Sequence, residues 1–314
     1  LSCKVDQFPQ FVVNAFHDAS TPIAAVHIGI RIGAGSAPGI AALSQQVAQA
    51  RLEALLKEEA WKSLGLETQS RAALSLNTES DYCEGRAQVT AASLGLALKA
   101  LATVLFDRSS AQEEEVVRAR DLLSQAARRT AANVVEASYY QMLRAYFGYG
   151  SPLANPVTGS VEDLQRLGRA DLESFRADWL GPNNACVCVI GPQSCDELVA
   201  LVTAATTGRP AARCTVPLTP PAGAALPRVA AATLANWRGG SVMIAVPLGP
   251  YGSRSFVAGQ LAYVMLAGAQ GRLRLAARGE TPPGNNRIFG AQDDDGPISA
   301  IPPVPGPRPF LALH

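Results

Sequence analysis

An α+β fold follows from three features of the sequence. Residues Ala25–Ile32 are apolar or β-branched at most positions, and they lead through the glycine turn GAGSAPG into Ala41–Leu56, a run of strong helix formers. Two strand-like stretches, Thr68–Ser75 and Glu84–Ala92, then flank the turn NTESDYCEG. Helical patterns follow without interruption until the apolar strand ACVCVIG, so strands and helices are partly segregated where a doubly wound sheet would alternate them.

In chain order, Phe8–Ala15 reads as a first strand and HDAST as the turn into the second. Leu94–Phe106 carries Leu94, Leu98, Leu101 and Leu105 on one stripe and reads as a buried helix. Ser110 and Glu113 form an S-x-x-E capping box that opens a long acidic-to-basic helical region, with a break near Thr130–Asn133. Ser160 and Asp163 repeat the cap before SVEDLQRL, RADLESFRADWL makes a further helix, and GPNN turns the chain into ACVCVIG. A helix from Asp196 to Thr206 completes a first domain, residues 1–207.

Residues 208–226, rich in Pro, Ala and Gly, read as a linker. A second, shorter unit spans 227–278, with strands at Val229–Trp237 and Ser241–Pro247 and a helix at Ser255–Leu266. Residues 279–314 hold PPGNN, DDDGP and IPPVPGPRP; proline at that density removes backbone donors, and an extended or poorly ordered tail is expected.

At 314 residues, 48% hydrophobic and 17% charged, the chain has ample material for buried cores and fewer charges than the usual ~25%. That deficit fits a surface partly covered by partner subunits. With 27 basic against 26 acidic residues and no dense basic run, nucleic acid is not an expected partner. The longest apolar stretch, Val89–Phe106, is interrupted by Ser93 and Lys99 and falls short of a membrane span, so membrane association is expected only through partners. The chain opens at Leu1, which fits a leader that has been removed or is not included.

GAGSAPG, between a strand and a helix, comes near a dinucleotide-binding fingerprint, which would make the chain a nucleotide-dependent oxidoreductase. The acidic strand end expected about 20 residues later is replaced by the continuing helix RLEALLKEEAWKSL, and a tight turn is the favoured reading. The histidines are His17, His27 and His314, none at helical spacing from another or from a cysteine. Six cysteines show no CxxC; Cys186 and Cys188 share a face of one strand and suggest a metal or redox pair, but small buried core residues are the favoured reading. The aromatic group Tyr139, Tyr140, Tyr146, Phe147 and Tyr149 is read as packing in preference to ligand stacking. On the helix after GAGSAPG, Ala42, Gln45 and Gln46 share a face and present a methyl group and two neutral amides. Neither can bind zinc well or act as a general base.

RIGAGSAPGIAALSQQVAQARL resembles the opening of the pitrilysin-type (M16) metallopeptidases, where an AGS-type turn precedes a helix bearing His-x-x-Glu-His. LRAYFGYGSPLANPVTGSVEDLQRLGRADLESFRADWLGPNNACVCVIG is similar to a later stretch of the same family, and NWRGGSVMIAVPLGP to the start of its second, repeated domain. The resemblance covers about Phe11–Leu275 and implies the LuxS/MPP-like fold, in one complete copy and one partial copy. Carried over residue by residue, the zinc histidines fall on Ala42 and Gln46 and the catalytic glutamate on Gln45, and no Glu lies between Glu115 and Glu136 where a further zinc ligand belongs. The resemblance therefore implies neither metal nor cofactor and no peptidase activity.

Inactive members of this family include the core proteins of the mitochondrial cytochrome bc1 complex (respiratory complex III) and the non-catalytic subunit of the mitochondrial processing peptidase. The run SPLANPV looks most like the core protein 2 type, and LAGAQG is short where the peptidase subunit carries a long glycine-rich loop. The expectation is a structural subunit on the matrix side of the mitochondrial inner membrane, in a hetero-oligomer with a core protein 1-like M16 subunit and other complex III subunits. A subunit that presents presequences to an active processing peptidase is the alternative.

Overall fold

The computed structural model describes residues 2–8, 11–32, 37–57, 74–79, 81–148, 151–214, 243–248, 252–267, 300–304 and 310–313. The chain divides into two compact units, Leu1–Arg129 with Asn155–Pro217, and Thr130–Ala154 with Leu218–His314. Thr130–Ala154, within the expected first domain of residues 1–207, thus groups with the second unit.

The first unit is built on six strands: β1 (Ser2–Phe8), β2 (Phe11–His17), β3 (Ile23–Arg31), β4 (Leu74–Thr78), β5 (Tyr82–Thr90) and β6 (Ala185–Gly191). Their order in the sheet is β1-β2-β6-β3-β5-β4. All neighbours are antiparallel except β2 and β6, so the last strand enters the middle of the sheet between two early ones. The expected strand Phe8–Ala15 is displaced to Phe11–His17, and β1 folds back on it with Phe8 opposite Phe11. The expected strand Thr68–Ser75 lies mostly outside the described residues; β4 begins at Leu74.

Strand alternation sorts the sheet into two faces. Val13 and Ala15 of β2, Ala24, Val26, Ile28 and Ile30 of β3, Cys83, Ala87 and Val89 of β5, and Val187 and Val189 of β6 are buried together. They lie beneath α2 (Leu94–Leu105) and α7 (Cys195–Thr206), while α1 (Ile40–Leu56) packs beside β4. Leu94, Leu98, Leu101 and Leu105 of α2 are fully buried, as their stripe predicts, and each stabilises the fold by roughly 1.5–3 kcal/mol relative to exposure. Gly85 makes this approach possible, since a Cβ there would stand 2.8 Å from Leu105 Cδ1.

The helix α3 (Glu113–Ala132) starts without the expected Ser110–Glu113 box. The Ser110 hydroxyl instead donates to Glu173, and Glu115 accepts from the Gln112 amide at 2.8 Å. The break near residue 130 falls at Asn133, whose Oδ1 accepts from Val135 N and Glu136 N and caps α4 (Val134–Phe147). Reciprocal caps form at Ser160–Asp163 for α5 (Val161–Arg166) and at Ser194–Glu197 for α7; α6 (Arg169–Trp179) lies between.

In the second unit, Met142, Leu143 and Tyr146 of α4 form a small core with Ala154, and Met243 packs against it. Tyr139 and Tyr140 meet edge to face at 5.5 Å, as do Tyr146 and Phe147 at 4.9 Å, so these four rings pack on one another; Tyr149 lies outside the described residues. A three-stranded sheet has the order β7-β9-β8, from β7 (Ile244–Pro247), β8 (Ala300–Val304) and β9 (Phe310–Leu313). The segment expected as an extended or poorly ordered tail thus supplies two paired strands, because Ala300–Val304 and Phe310–Leu313 find backbone partners that sequence periodicity does not reveal. On α8 (Arg254–Ala267) Phe256 is buried, whereas Val257, Leu261, Val264 and Met265 are exposed along one stripe. The expected strand Val229–Trp237 and most of the 208–226 linker lie outside the described residues.

Candidate functional site

Two glycines set the start of α1. Gly39 has φ +81°, and a Cβ on it would stand 2.6 Å from the Thr158 carbonyl oxygen; Gly159 has φ +70° and lies against Gly39 in turn. Only the absence of both side chains lets the turn before α1 rest on the turn before α5. That docking places the first two turns of α1, which carry Ala42, Gln45 and Gln46.

Ala42 and Gln45 are buried and Gln46 is half-buried. The Gln45 side chain spans the gap from α1 to the β4–β5 hairpin: its Nε2 donates to the Asn77 carbonyl at 2.5 Å and to the Glu84 carbonyl at 3.1 Å. Its Oε1 and the neighbouring Ser44 hydroxyl have no hydrogen-bond partner among the described residues. Two carbonyl acceptors require a donor at this position, which an amide is and a carboxylate is not. The Gln45 side chain is thus a structural cross-link between α1 and the β4–β5 hairpin.

Directly beyond this link lies a buried carboxylate. Glu84 is 1% exposed; its Oε2 is 2.8 Å from His27 Nε2 and its Oε1 is 2.8 Å from Arg86 Nη2. Glu84 and Arg86 are two residues apart on one face of β5, and the β3–β5 register sets His27 beside Arg86. Sequence reasoning did not join these three residues, because the pairing depends on a register between strands 57 positions apart.

Glu115, in the first turn of α3, is bound to α1 through Arg51. Its two oxygens accept from Arg51 Nε at 2.9 Å and Nη2 at 2.7 Å, a bidentate pair, and Arg51 Nη1 also donates to Asp107 at 2.5 Å. The Arg51 bond, against the opposing effect of burial, holds the Glu115 carboxyl below its ordinary value. At Asp107 burial acts in the raising direction, but the Ser109 amide and hydroxyl, Arg176 and Arg51 together hold that carboxyl below its ordinary value as well. These groups tie α1 to the loop and helix that follow α2. No group of three or more His, Cys, Asp or Glu side chains among the described residues is arranged to hold a metal ion.

The cysteines divide in a way that corrects the buried-core expectation for the strand pair. Cys83 is fully buried, and burial pushes its thiol up to about 12. Cys186 and Cys188 are both exposed, because the alternation of β6 turns Ala185, Val187 and Val189 toward the helices and the two thiols to the opposite face. His17, by contrast, is the last residue of β2, and its Nδ1 is 2.8 Å from the Gln193 carbonyl oxygen. Among the described residues no helix is long and apolar enough to cross a membrane.

Residues 166–285 match the family described as the peptidase M16 inactive domain. No curated protein matches the sequence. Among solved structures, the chain is similar to a peptidase M16 inactive domain from Pseudomonas fluorescens at 15% identity and a TM-score of 0.74, covering 100% of this chain and 74% of that one. An M16-like peptidase from Alicyclobacillus acidocaldarius matches at 13% identity and 0.65, with the same coverage. A chain of complex III2 from Candida albicans matches at 17% identity and 0.60, covering 84% of this chain and 60% of that one. The six-stranded sheet with its helical layer is thus the fold of the M16-like peptidase domains, and more than a third of the sequence matches the family described as the peptidase M16 inactive domain.

Proposed function

We propose that this chain is a non-catalytic M16-like subunit that works by binding other proteins. The observation that carries this reading is the Gln45 side chain, whose amide is fixed on two backbone carbonyls where hydrolysis would need a base. Ala42 and Gln46 add no zinc ligand, and Glu115 is held by Arg51. Binding is supported by α8, whose Val257, Leu261, Val264 and Met265 stand exposed at 49%, 61%, 62% and 61%, more than isolated apolar residues on a free surface.

Within this reading, the chain is a core protein 2-like subunit of respiratory complex III. It would sit on the matrix side of the inner membrane, pair with a core protein 1-like subunit, and support the redox subunits without binding haem or quinone itself. Likeness to a chain of the Candida albicans complex supports this assignment. A second reading, supported by the bacterial peptidase-domain neighbours, is a non-catalytic subunit that presents substrate to an active M16 partner.

Purification of the full chain from its source with its bound proteins tests both. Haem and a second M16-like chain in one particle support the complex III assignment; a zinc-bearing partner that cleaves presequence peptides supports the second. Recovery of the chain as a monodisperse monomer with neither partner overturns the subunit reading.

A further inference from the structure

The face of the six-stranded sheet turned away from α2 and α7 carries one row of polar and reactive groups. Strand register sets Asn14 of β2 opposite Cys188 of β6, Cys188 opposite His27 of β3, His27 opposite Arg86 of β5, and Arg86 opposite Ser75 of β4. Directly opposed residues have Cβ atoms about 4.5–5.5 Å apart, so the Cys188 thiol and the His27 imidazole are neighbours. Cys188 is exposed, and the His27 side chain is 46% exposed. The Nε2 of His27 faces the buried Glu84 carboxylate at 2.8 Å. An ionised carboxylate can only accept, which makes Nε2 the protonated nitrogen and leaves the Nδ1 lone pair available.

We propose that Cys188 is a reactive thiol that forms a mixed disulfide with low-molecular-weight disulfides, with His27, positioned by Glu84, accepting its proton. The thiol proton passes to His27 Nδ1, and the thiolate attacks one sulfur of the incoming disulfide. A new S–S bond forms as the old one breaks; the departing thiolate takes the proton, Cys188 is oxidised and half of the small disulfide is reduced. Resolution by Cys186 is blocked by strand geometry. Residues i and i+2 of a strand project in parallel from one face, so their Cβ atoms stand about 6.6 Å apart, beyond the ~3.5–4.5 Å that a disulfide spans. Cys186 is also engaged as an acceptor from Asn14 Nδ2 at 3.6 Å. Among the described residues, the charged groups near the pair are Glu84 and Arg86 on β5 and Arg31 on β3.

The test is incubation of the full chain with glutathione disulfide, followed by digestion without reductant and site assignment by mass spectrometry. Cys188 is expected to gain the glutathionyl group roughly tenfold faster than Cys195 or Cys214, with Cys83 unmodified. His27→Gln is expected to slow Cys188 by roughly tenfold and to remove the part of its pH–rate profile that follows an imidazole, while Cys186→Ser leaves the rate unchanged. An internal Cys186–Cys188 disulfide, preferential modification of Cys195 or Cys214, or an unchanged rate and pH profile in His27→Gln overturns the proposal. The comparison among thiols in the unsubstituted chain decides the site by itself should His27→Gln not fold.

Discussion

The Gln45 amide of α1 and the Glu84 carbonyl of β5 lie 3.1 Å apart, and the same amide reaches the Asn77 carbonyl of β4. One side chain therefore fastens α1 to the hairpin beside it. Gln45→Ala is expected to lower stability by about 2–3 kcal/mol, since two buried carbonyls lose their donor. Urea denaturation measures this, and an unchanged midpoint would show that the link carries little energy.

Gln45→Glu is a sharper probe. The new carboxylate would face two carbonyl oxygens with no proton to share, so its folded-state pKa lies above the unfolded value. For an acid raised in this way, the folded state is favoured while the group is protonated and loses that advantage as pH rises through the folded pKa. The variant should be closest to the parent near pH 4 and furthest from it near pH 8. A destabilisation independent of pH would contradict the assignment of Gln45 as an obligatory donor. The triple change Ala42→His, Gln45→Glu and Gln46→His is expected to cleave no peptide, because Glu115 remains bound to Arg51 and no further Glu follows it on α3.

Acid sensitivity should centre on Arg51. Asp107 and Glu115 both titrate below their ordinary values of 3.8 and 4.5, so their contribution is present above those values and is lost as pH falls through the lower, folded-state ones. Arg51→Met is expected to cost about 1–3 kcal/mol near neutral pH, leaving two half-buried carboxylates without their partner. Its stability should also fall less steeply than the parent's between pH 5 and pH 3. Parallel stability–pH curves for the two proteins would place the acid-sensitive carboxylates elsewhere.

Cys83 offers a test of the core. With its thiol fully buried and pushed up to about 12, it should resist alkylation in the folded chain and react only after denaturation. Quantitative labelling of Cys83 under native conditions would mean that the β5–α2 interface opens readily.

How much of this was legible in the sequence depended on whether a feature is local. The α2 stripe, the strand β3 and helix α1, the Ser160–Asp163 cap and the break at Asn133 are each set by residues within a few positions, and the structure has them. The register between β3, β5 and β6 is not local, so the His27–Glu84–Arg86 cluster and the row through Cys188 were invisible, and two thiols that alternation turns outward were read as core. Ser110 is instructive in the other direction: its spacing to Glu113 satisfies the capping pattern, yet a distant carboxylate, Glu173, takes its hydroxyl. A glutamine in the middle of an apolar helix face was the signal for the Gln45 cross-link. It was read for the chemistry it lacks before the hydrogen bonds it makes.

The central claim is that α1 carries a fold-bearing amide and holds no zinc site, and zinc binding tests it most directly. The full chain, equilibrated with excess zinc, passed over a desalting column and analysed for metal, is predicted to retain far less than one equivalent. One zinc per chain that survives desalting and is lost in Gln46→Ala would contradict it.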